Sequence, residues 1–265
     1  MKKRNYIRKA IYLTLLRVDH LLKRSNKIVI FCYHSIAKDN WAFSVKPKNL
    51  EKQMDYMLDN YESWSLSDLE KYLKGRKKLT KNVFIVTFDD GYRNLLKSID
   101  LFKSKSIYPT VFLLSDKEKI KRKEISSKKL ILKESDILIL KSAGWEIGSH
   151  SKTHPNFWKL DENKLEEEIK GSKLNLEKNL NLKVNYFAYP KGKYTKNALN
   201  IVKKSGYKLA LTVDDNFICR SSNKFLLPRI GIDGTHTFEE FKASFTPSVV
   251  TFRNIVKHTF FYKFI

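Results

Sequence analysis

Seven short apolar runs, separated mostly by amphipathic stretches, limit what this 265-residue chain can fold into more than any other feature. The runs cover 28–33, 83–88, 110–114, 145–148, 186–189, 209–213 and 226–230. Each is short and rich in β-branched or aromatic residues, so each reads as a strand. Between them, 47–60, 91–105, 135–143, 161–180 and 195–205 carry apolar residues three and four apart, which predicts helices. Gly206 then stops the last helix as a C′ glycine does. Strand–helix alternation repeated this often implies parallel strands, hence an α/β barrel or a doubly wound sheet. A chain of this length makes one such domain.

Polar chemistry gathers at the ends of these strands, which favours the barrel. His34 follows the first strand, Asp89 and Asp90 end the second, His150 follows the fourth, and Pro190 with Lys191 follows the fifth. Two adjacent carboxylates at the end of a buried strand resist joint ionisation unless a cation compensates them. His150 and His154 are four apart, so a helical turn or a tight loop brings both imidazoles to one side. Two imidazoles and one carboxylate form an open site for a divalent ion, leaving room for water and substrate. One aspartate then serves as the third ligand and its neighbour as the base that deprotonates the attacking water.

Thr-Phe-Asp-Asp-Gly at 87–91, Gly-Trp-Glu-Ile-Gly-Ser-His-Ser-Lys-Thr-His-Pro at 144–155 and Phe-Ala-Tyr-Pro-Lys-Gly at 187–192 resemble the first three motifs of polysaccharide deacetylases, the NodB-homology group of carbohydrate esterase family four. Tyr-Pro-Thr-Val-Phe-Leu at 108–113 is similar to the family as well, and the likeness extends over about 28–235. It implies a deformed seven-stranded (β/α) barrel that removes N-acetyl groups from an amino-sugar glycan with one divalent metal ion. Carried onto these residues, the resemblance makes Asp89 the base and Asp90, His150 and His154 the metal ligands. The backbone N–H of Lys191, just after Pro190, becomes an oxyanion donor. Tyr189 is grouped with this turn at the substrate end, although its bulk and that of Trp145 suit wall and core better than a sugar-stacking platform.

Two departures from the family pattern matter. The usual late Leu-x-His is missing, and His236 in Gly-Thr-His-Thr is the only histidine near that stretch. The early Tyr33-His34 resembles the branch that deacetylates poly-N-acetylglucosamine, where the early histidine is the general acid. His34 is therefore preferred over His236. The arginine often found two residues before the proline is replaced by Ala188, and Arg229 at the end of the last strand is expected to supply the cation that orients the base. Asp214 is a weaker candidate to steady a histidine. Zinc fits the ligand set best, while cobalt, nickel and manganese are also compatible.

The formal charge of +24 is unevenly spread: 1–27, 117–133 and 249–265 hold +8, +6 and +3 of it. The insert 117–133 is expected to be a solvated loop. Ile7, Ile11, Leu15, Val18 and Leu22 form a stripe on a basic amphipathic helix within 1–27, and Val249, Phe252, Val256, Phe260 and Phe264 form another in the tail 245–265. The remaining 28–244 is the barrel. Such termini suit an anionic membrane surface, and no module for binding nucleic acid is recognisable. Cys32 and Cys219 make no disulfide framework or metal knuckle. The apolar stretch after Met1-Lys2-Lys3-Arg4 is broken by Arg8, Lys9, Arg17 and Asp19, so neither a cleaved leader nor a bilayer span is expected. These features suggest a cytoplasmic protein lying on the inner membrane face and meeting a polyprenyl-linked N-acetylated amino sugar, with anchoring on the outer face as the alternative. A deformylase on a lipid-linked amino sugar and a non-catalytic carbohydrate-binding protein are the competing functions. No pattern fixes an oligomeric state.

Overall fold

The computed structural model describes residues 2–20, 27–116, 130–257 and 259. Its strands are β1 (Ile28–Tyr33), β2 (Ser35–Ile36), β3 (Ser44–Val45), β4 (Glu62–Ser63), β5 (Val83–Phe88), β6 (Thr110–Leu113), β7 (Glu146–Ser149), β8 (Tyr186–Ala188), β9 (Leu209–Leu211) and β10 (Ile230–Gly231). The helices are α1 (Lys2–His20), α2 (Pro47–Asn60), α3 (Leu66–Leu73), α4 (Ile99–Ser104), α5 (Glu134–Ser142), α6 (Glu162–Glu166), α7 (Ser172–Leu180), α8 (Lys196–Lys204), α9 (Phe238–Ser244) and α10 (Pro247–Val256).

The main sheet runs β10-β1-β5-β6-β7-β8-β9 with every pairing parallel, and β4 adds to the start of β5. Its two ends approach through one segment: Leu227 bonds to Ala210 of β9 while Ile230 and Gly231 pair with β1. A curled parallel sheet wrapped by helices is the barrel expected from the sequence. The expected last strand, 226–230, is reduced to a bridge at Leu227 and the two residues of β10. Pro228 explains the break, since it has no N–H to give a ladder.

Period-two alternation sorts the strand residues and aims the site. Val29, Phe31 and Tyr33 of β1 and Phe84, Val86 and Phe88 of β5 pack in the larger core with the helices. Ile28, Ile30, Val83 and Ile85 fill the barrel interior with Trp64, Leu209 and Leu211. Continuing that inward alternation brings Cys32, Thr87 and Asp89 to the interior face, because side chains alternate along a strand. The β1–β5 register, Ile28↔Val83 through Tyr33↔Phe88, sets His34 and Asp89 side by side just past the ladder.

Helices differ from expectation in three places. A 3-10 turn, Arg93–Ser98, opens the segment that was expected to be one helix over 91–105. A π-helical turn, Glu167–Gly171, lies between α6 and α7. α3 and the small β2–β3 pair carry no long apolar periodicity, and the sequence reading passed over both. Leu132 of the lysine-rich insert is buried, its N–H bonding to Gly91 O at 2.8 Å, so the end of the insert belongs to the core. Residues 117–129 of that insert, and 21–26 and 260–265 with Leu22, Phe260 and Phe264, lie outside the described residues.

α1 packs on α9 and α10 through a face centred on Tyr12, which shares Ile11 and Leu15 with the expected stripe but not Ile7 or Val18. Tyr12 is buried with Ala243 and Val249, and Ile11, Leu15, Leu16 and Phe252 pack around them. Arg8 is also buried, its Nε donating to Glu240 Oε1 at 2.8 Å. Asp19 accepts from Ser248 N and Oγ at 2.8 and 2.9 Å. Ile7 and Val18, assigned to the stripe, are exposed.

Candidate active site

The C-terminal ends of the strands surround a cavity of about 480 Å³ lined by His34, Asp89, Asp90, His150, His154 and Lys191 among others. Asp89 is fixed by its strand, with its N–H on Tyr33 O at 2.9 Å. Its carboxylate meets Arg229 in a two-pronged pair, Nη1 to Oδ1 at 2.7 Å and Nη2 to Oδ2 at 2.8 Å. Arg229 is fully buried. Its Nε donates to Thr212 O at 2.9 Å and its Nη1 also to Thr87 Oγ1 at 3.1 Å, while Phe112 lies under the guanidinium. Burial alone would raise the Asp89 carboxyl, but the Arg229 guanidinium paired with it outweighs burial and holds it well below the usual carboxylate range. Ala188 offers no cation, and Arg229 is the guanidinium paired with Asp89.

Asp90, His150 and His154 are all buried, and their candidate ligand atoms lie within 4.8 Å of one another. Bonds of about 2.0–2.2 Å to one tetrahedral ion set ligand atoms about 3.3–3.6 Å apart, so the three would draw in by about 1 Å to hold one. The second nitrogen of His150 sets its role: Nδ1 donates to Ala188 O at 2.8 Å, which turns Nε2 towards Asp90 Oδ1 at 3.8 Å. Burial pushes the His150 imidazolium down in pKa despite the two aspartates, favouring the neutral form that ligates. The donor set therefore fits a divalent ion. Asp90, Ser151, His154 and Lys191 all take positive φ, between 57° and 73°. Non-glycine residues rarely do so, and such backbone collects where geometry serves a site.

The loop from His150 to His154 is held from outside by a residue the sequence reading missed. Glu168, on the π-helical turn, accepts from Lys152 N at 2.9 Å, Thr153 N at 2.8 Å and Thr153 Oγ1 at 2.7 Å. Cys32 was missed too; its thiol donates to Asp89 Oδ2 at 3.3 Å. Periodicity offered a signal for Cys32, which shares the inward face of β1, but none for Glu168.

His34 is half-buried on the cavity wall, its ring 5.0 Å from that of Phe43. His236 lines the cavity as well, with Nδ1 at 3.0 Å from Asp233 Oδ1. At the Tyr189–Gly192 turn, a Cβ on Gly192 would meet Val213 Cγ2 at 2.1 Å, so only glycine lets the turn close and bring Lys191 to the rim. Tyr189 lies elsewhere. It is buried, with its hydroxyl donating to Phe225 O at 3.2 Å and its ring against Phe187, Tyr194 and the core; neither it nor Pro190 lines the cavity. A ring this large on the outward face of β8 fills the helix layer, which corrects its assignment to the substrate end. Trp145 is likewise core, stacked on Phe88. Asp214 pairs with Lys257 at 2.7 Å, not with a histidine; the buried neighbour Asp215 faces the cavity and pairs with Arg253 at 3.0 Å.

Residues 76–210 match the family model for polysaccharide deacetylase. The poly-beta-1,6-N-acetyl-D-glucosamine N-deacetylase of Staphylococcus aureus is 25% identical over 227 residues, 80% of this chain and 76% of that protein. The Streptococcus pyogenes deacetylase PplD, solved in complex with acetate, superposes with a TM-score of 0.71 at 23% identity, over 84% of this chain and 100% of that one. IcaB from Ammonifex degensii superposes with a TM-score of 0.70 at 20% identity, over 87% and 98%. At these identities the two structures establish the shared fold.

Proposed function

The chain belongs to the polysaccharide deacetylase family, and from that membership we propose that it is a metal-dependent hydrolase removing N-acetyl groups from N-acetylglucosamine-type units of a glycan. The observation that carries the metal dependence is the buried Asp90, His150 and His154 cluster beside the Arg229-paired Asp89. The 25% identity with an enzyme named for poly-β-1,6-N-acetylglucosamine supports a hexosamine glycan as substrate.

Asp90, His150 and His154 would hold a divalent ion, and its Lewis acidity would serve to acidify an attacking water and polarise the acetamide carbonyl. Asp89 takes the proton from that water. Its pairing with Arg229 favours the ionised form and makes it a weak base, which suits a water that a bound ion would have acidified. Lys191, at the cavity rim, offers its backbone N–H to the oxygen on which negative charge develops. His34 returns a proton to the departing amine nitrogen; its position next to Asp89 across the β1–β5 register supports this over His236, which is turned to Asp233.

The same reading sets the enzyme on an anionic membrane surface. Tyr6, Ile7, Val18 and Ile255 are exposed on α1 and α10, and the surrounding termini are strongly basic. A membrane-borne glycan, polyprenyl-linked included, would meet the cavity there.

The test is acetate release from β-1,6-linked N-acetylglucosamine oligomers by the purified protein, with metal content measured in parallel and Asp89→Asn as the control. Inactivity on every acetylated hexosamine would sink the substrate class. An unaffected Asp89→Asn enzyme would sink the mechanism.

A further inference from the structure

The cavity extends beyond what an acetamide needs, and its far wall comes from outside the residues that match the family model. Arg8 and Tyr12 of α1 and Arg253 and Val256 of α10 line it, with Asp215 between them. This wall is rigidly built. Besides its bond to Glu240, Arg8 donates through Nη1 to Thr235 Oγ1 at 3.1 Å and through Nη2 to Thr235 O at 3.0 Å. Tyr12 is locked in the cluster with Ala243 and Val249.

The wall is also compensated in charge. Arg8 meets Glu240 at 2.8 Å and Arg253 meets Asp215 at 3.0 Å, so each guanidinium already has a carboxylate. A phosphate seated here would have to displace those carboxylates or bring a net negative charge to a nearly neutral surface, and both are costly in a part-buried cavity. Guanidinium and carboxylate groups alternate along this wall with Tyr12 and Val256, a mixture of polar and apolar lining that suits a ring with an apolar face and a rim of hydroxyls.

We propose that the α1–α10 wall is a subsite for the sugar unit next to the one being deacetylated, and that it reads a neutral, hydroxyl-bearing ring rather than a phosphate. This rests on the deacetylase reading and extends it to the neighbouring unit. Under it, a lipid-linked substrate would have to keep its phosphate outside this wall.

The experiment compares kcat/KM on N-acetylglucosamine with that on its β-1,6-linked pentamer, in the wild type, in Val256→Trp, which fills the subsite, and in the double variant Arg253→Gln with Asp215→Asn, which removes the charged edges in a neutral pair. Melting curves establish that each variant is folded. The wild type is expected to prefer the pentamer by about tenfold or more, and both variants to bring that ratio close to unity, a change worth about 1.4 kcal/mol. A ratio unchanged in both folded variants would overturn the proposal. So would competitive inhibition by inorganic pyrophosphate that the double variant relieves, because it would make the wall a phosphate site. If no acetylated sugar is turned over, the deacetylase reading fails separately. The subsite is then read by pentamer binding in ligand-observed NMR, which Val256→Trp must abolish for the proposal to stand.

Discussion

A buried carboxylate opposite a buried guanidinium is a poor source of net stability but a strong constraint on orientation, and the Asp89–Arg229 pair is best understood that way. Removing either partner strands the other. Arg229→Met should therefore cost about 3–5 kcal/mol in urea unfolding, because Asp89 would remain buried with its negative charge unmatched. Asp89→Asn keeps the shape but cannot accept a proton, and acetate release should fall by about 10²–10⁴-fold with metal binding retained. Loss of metal along with activity would instead make Asp89 a ligand. These residues were unequally legible. Asp89, Asp90, His150 and His154 stand in short contiguous motifs, and Arg229 could be sought because Ala188 left a gap to fill. Cys32 acts through one hydrogen bond and Glu168 through three, all to partners distant in sequence; alternation along β1 hinted at the first, and no local pattern marks the second. Tyr189 misled because Lys191 and Gly192, two and three residues further on, line the cavity while its own alternation points it into the core.

At the scale of elements, the strand registers do most of the aiming and irregular segments do the rest. Parallel pairing of buried, β-branched runs was readable from composition and spacing, and so the barrel was legible before any coordinate. The π-helical turn was not, since it is a change of hydrogen-bond partner within an otherwise helical pattern. Its consequence is specific: Glu168 grips the loop between the two histidines. Glu168→Ala should weaken zinc affinity by about 10–100-fold in competition with a chromophoric chelator, and Glu168→Gln should recover part of it through its remaining acceptor oxygen. Equal affinity in all three proteins would make Glu168 a brace for the helix alone. The docking of α1 carries a pH dependence of known sign. Burial alone would raise the Glu240 carboxyl, but Arg8 and the Thr237 amide outweigh it and hold it below its ordinary value. A group lowered on folding contributes stability that is complete above its unfolded pKa, about 4.3, and is lost as pH falls through the folded value. Protection of the α1 amides, corrected for the intrinsic pH dependence of exchange, should therefore be unchanged from pH 7 to 5 and fall below about pH 4. Glu240→Gln should remove that dependence.

Taken whole, the molecule concentrates charge of one sign while assembling an anionic pocket that needs a cation. The net +24 is carried largely by the termini and the insert, whereas Asp89, Asp90, Asp215 and Asp233 all line the cavity. Arg229 and Arg253 pair with Asp89 and Asp215, His236 lies 3.0 Å from Asp233, and an ion at Asp90, His150 and His154 would bring a further cation to these carboxylates. It follows that metal binding should stabilise the entire fold and not merely switch on activity. A ligand that binds only the native state adds about 2.7 kcal/mol at a hundred times its dissociation constant. For a domain near this size each kcal/mol moves the melting temperature by about 2–4 °C, so zinc saturation of the metal-free protein should raise it by about 5–10 °C. Asp90→Ala should abolish the rise, since the two histidines alone leave the ion without its anionic ligand. A rise of equal size in Asp90→Ala would mean that the stabilising ion sits elsewhere, and the cluster at the strand ends would lose its claim to be the metal centre.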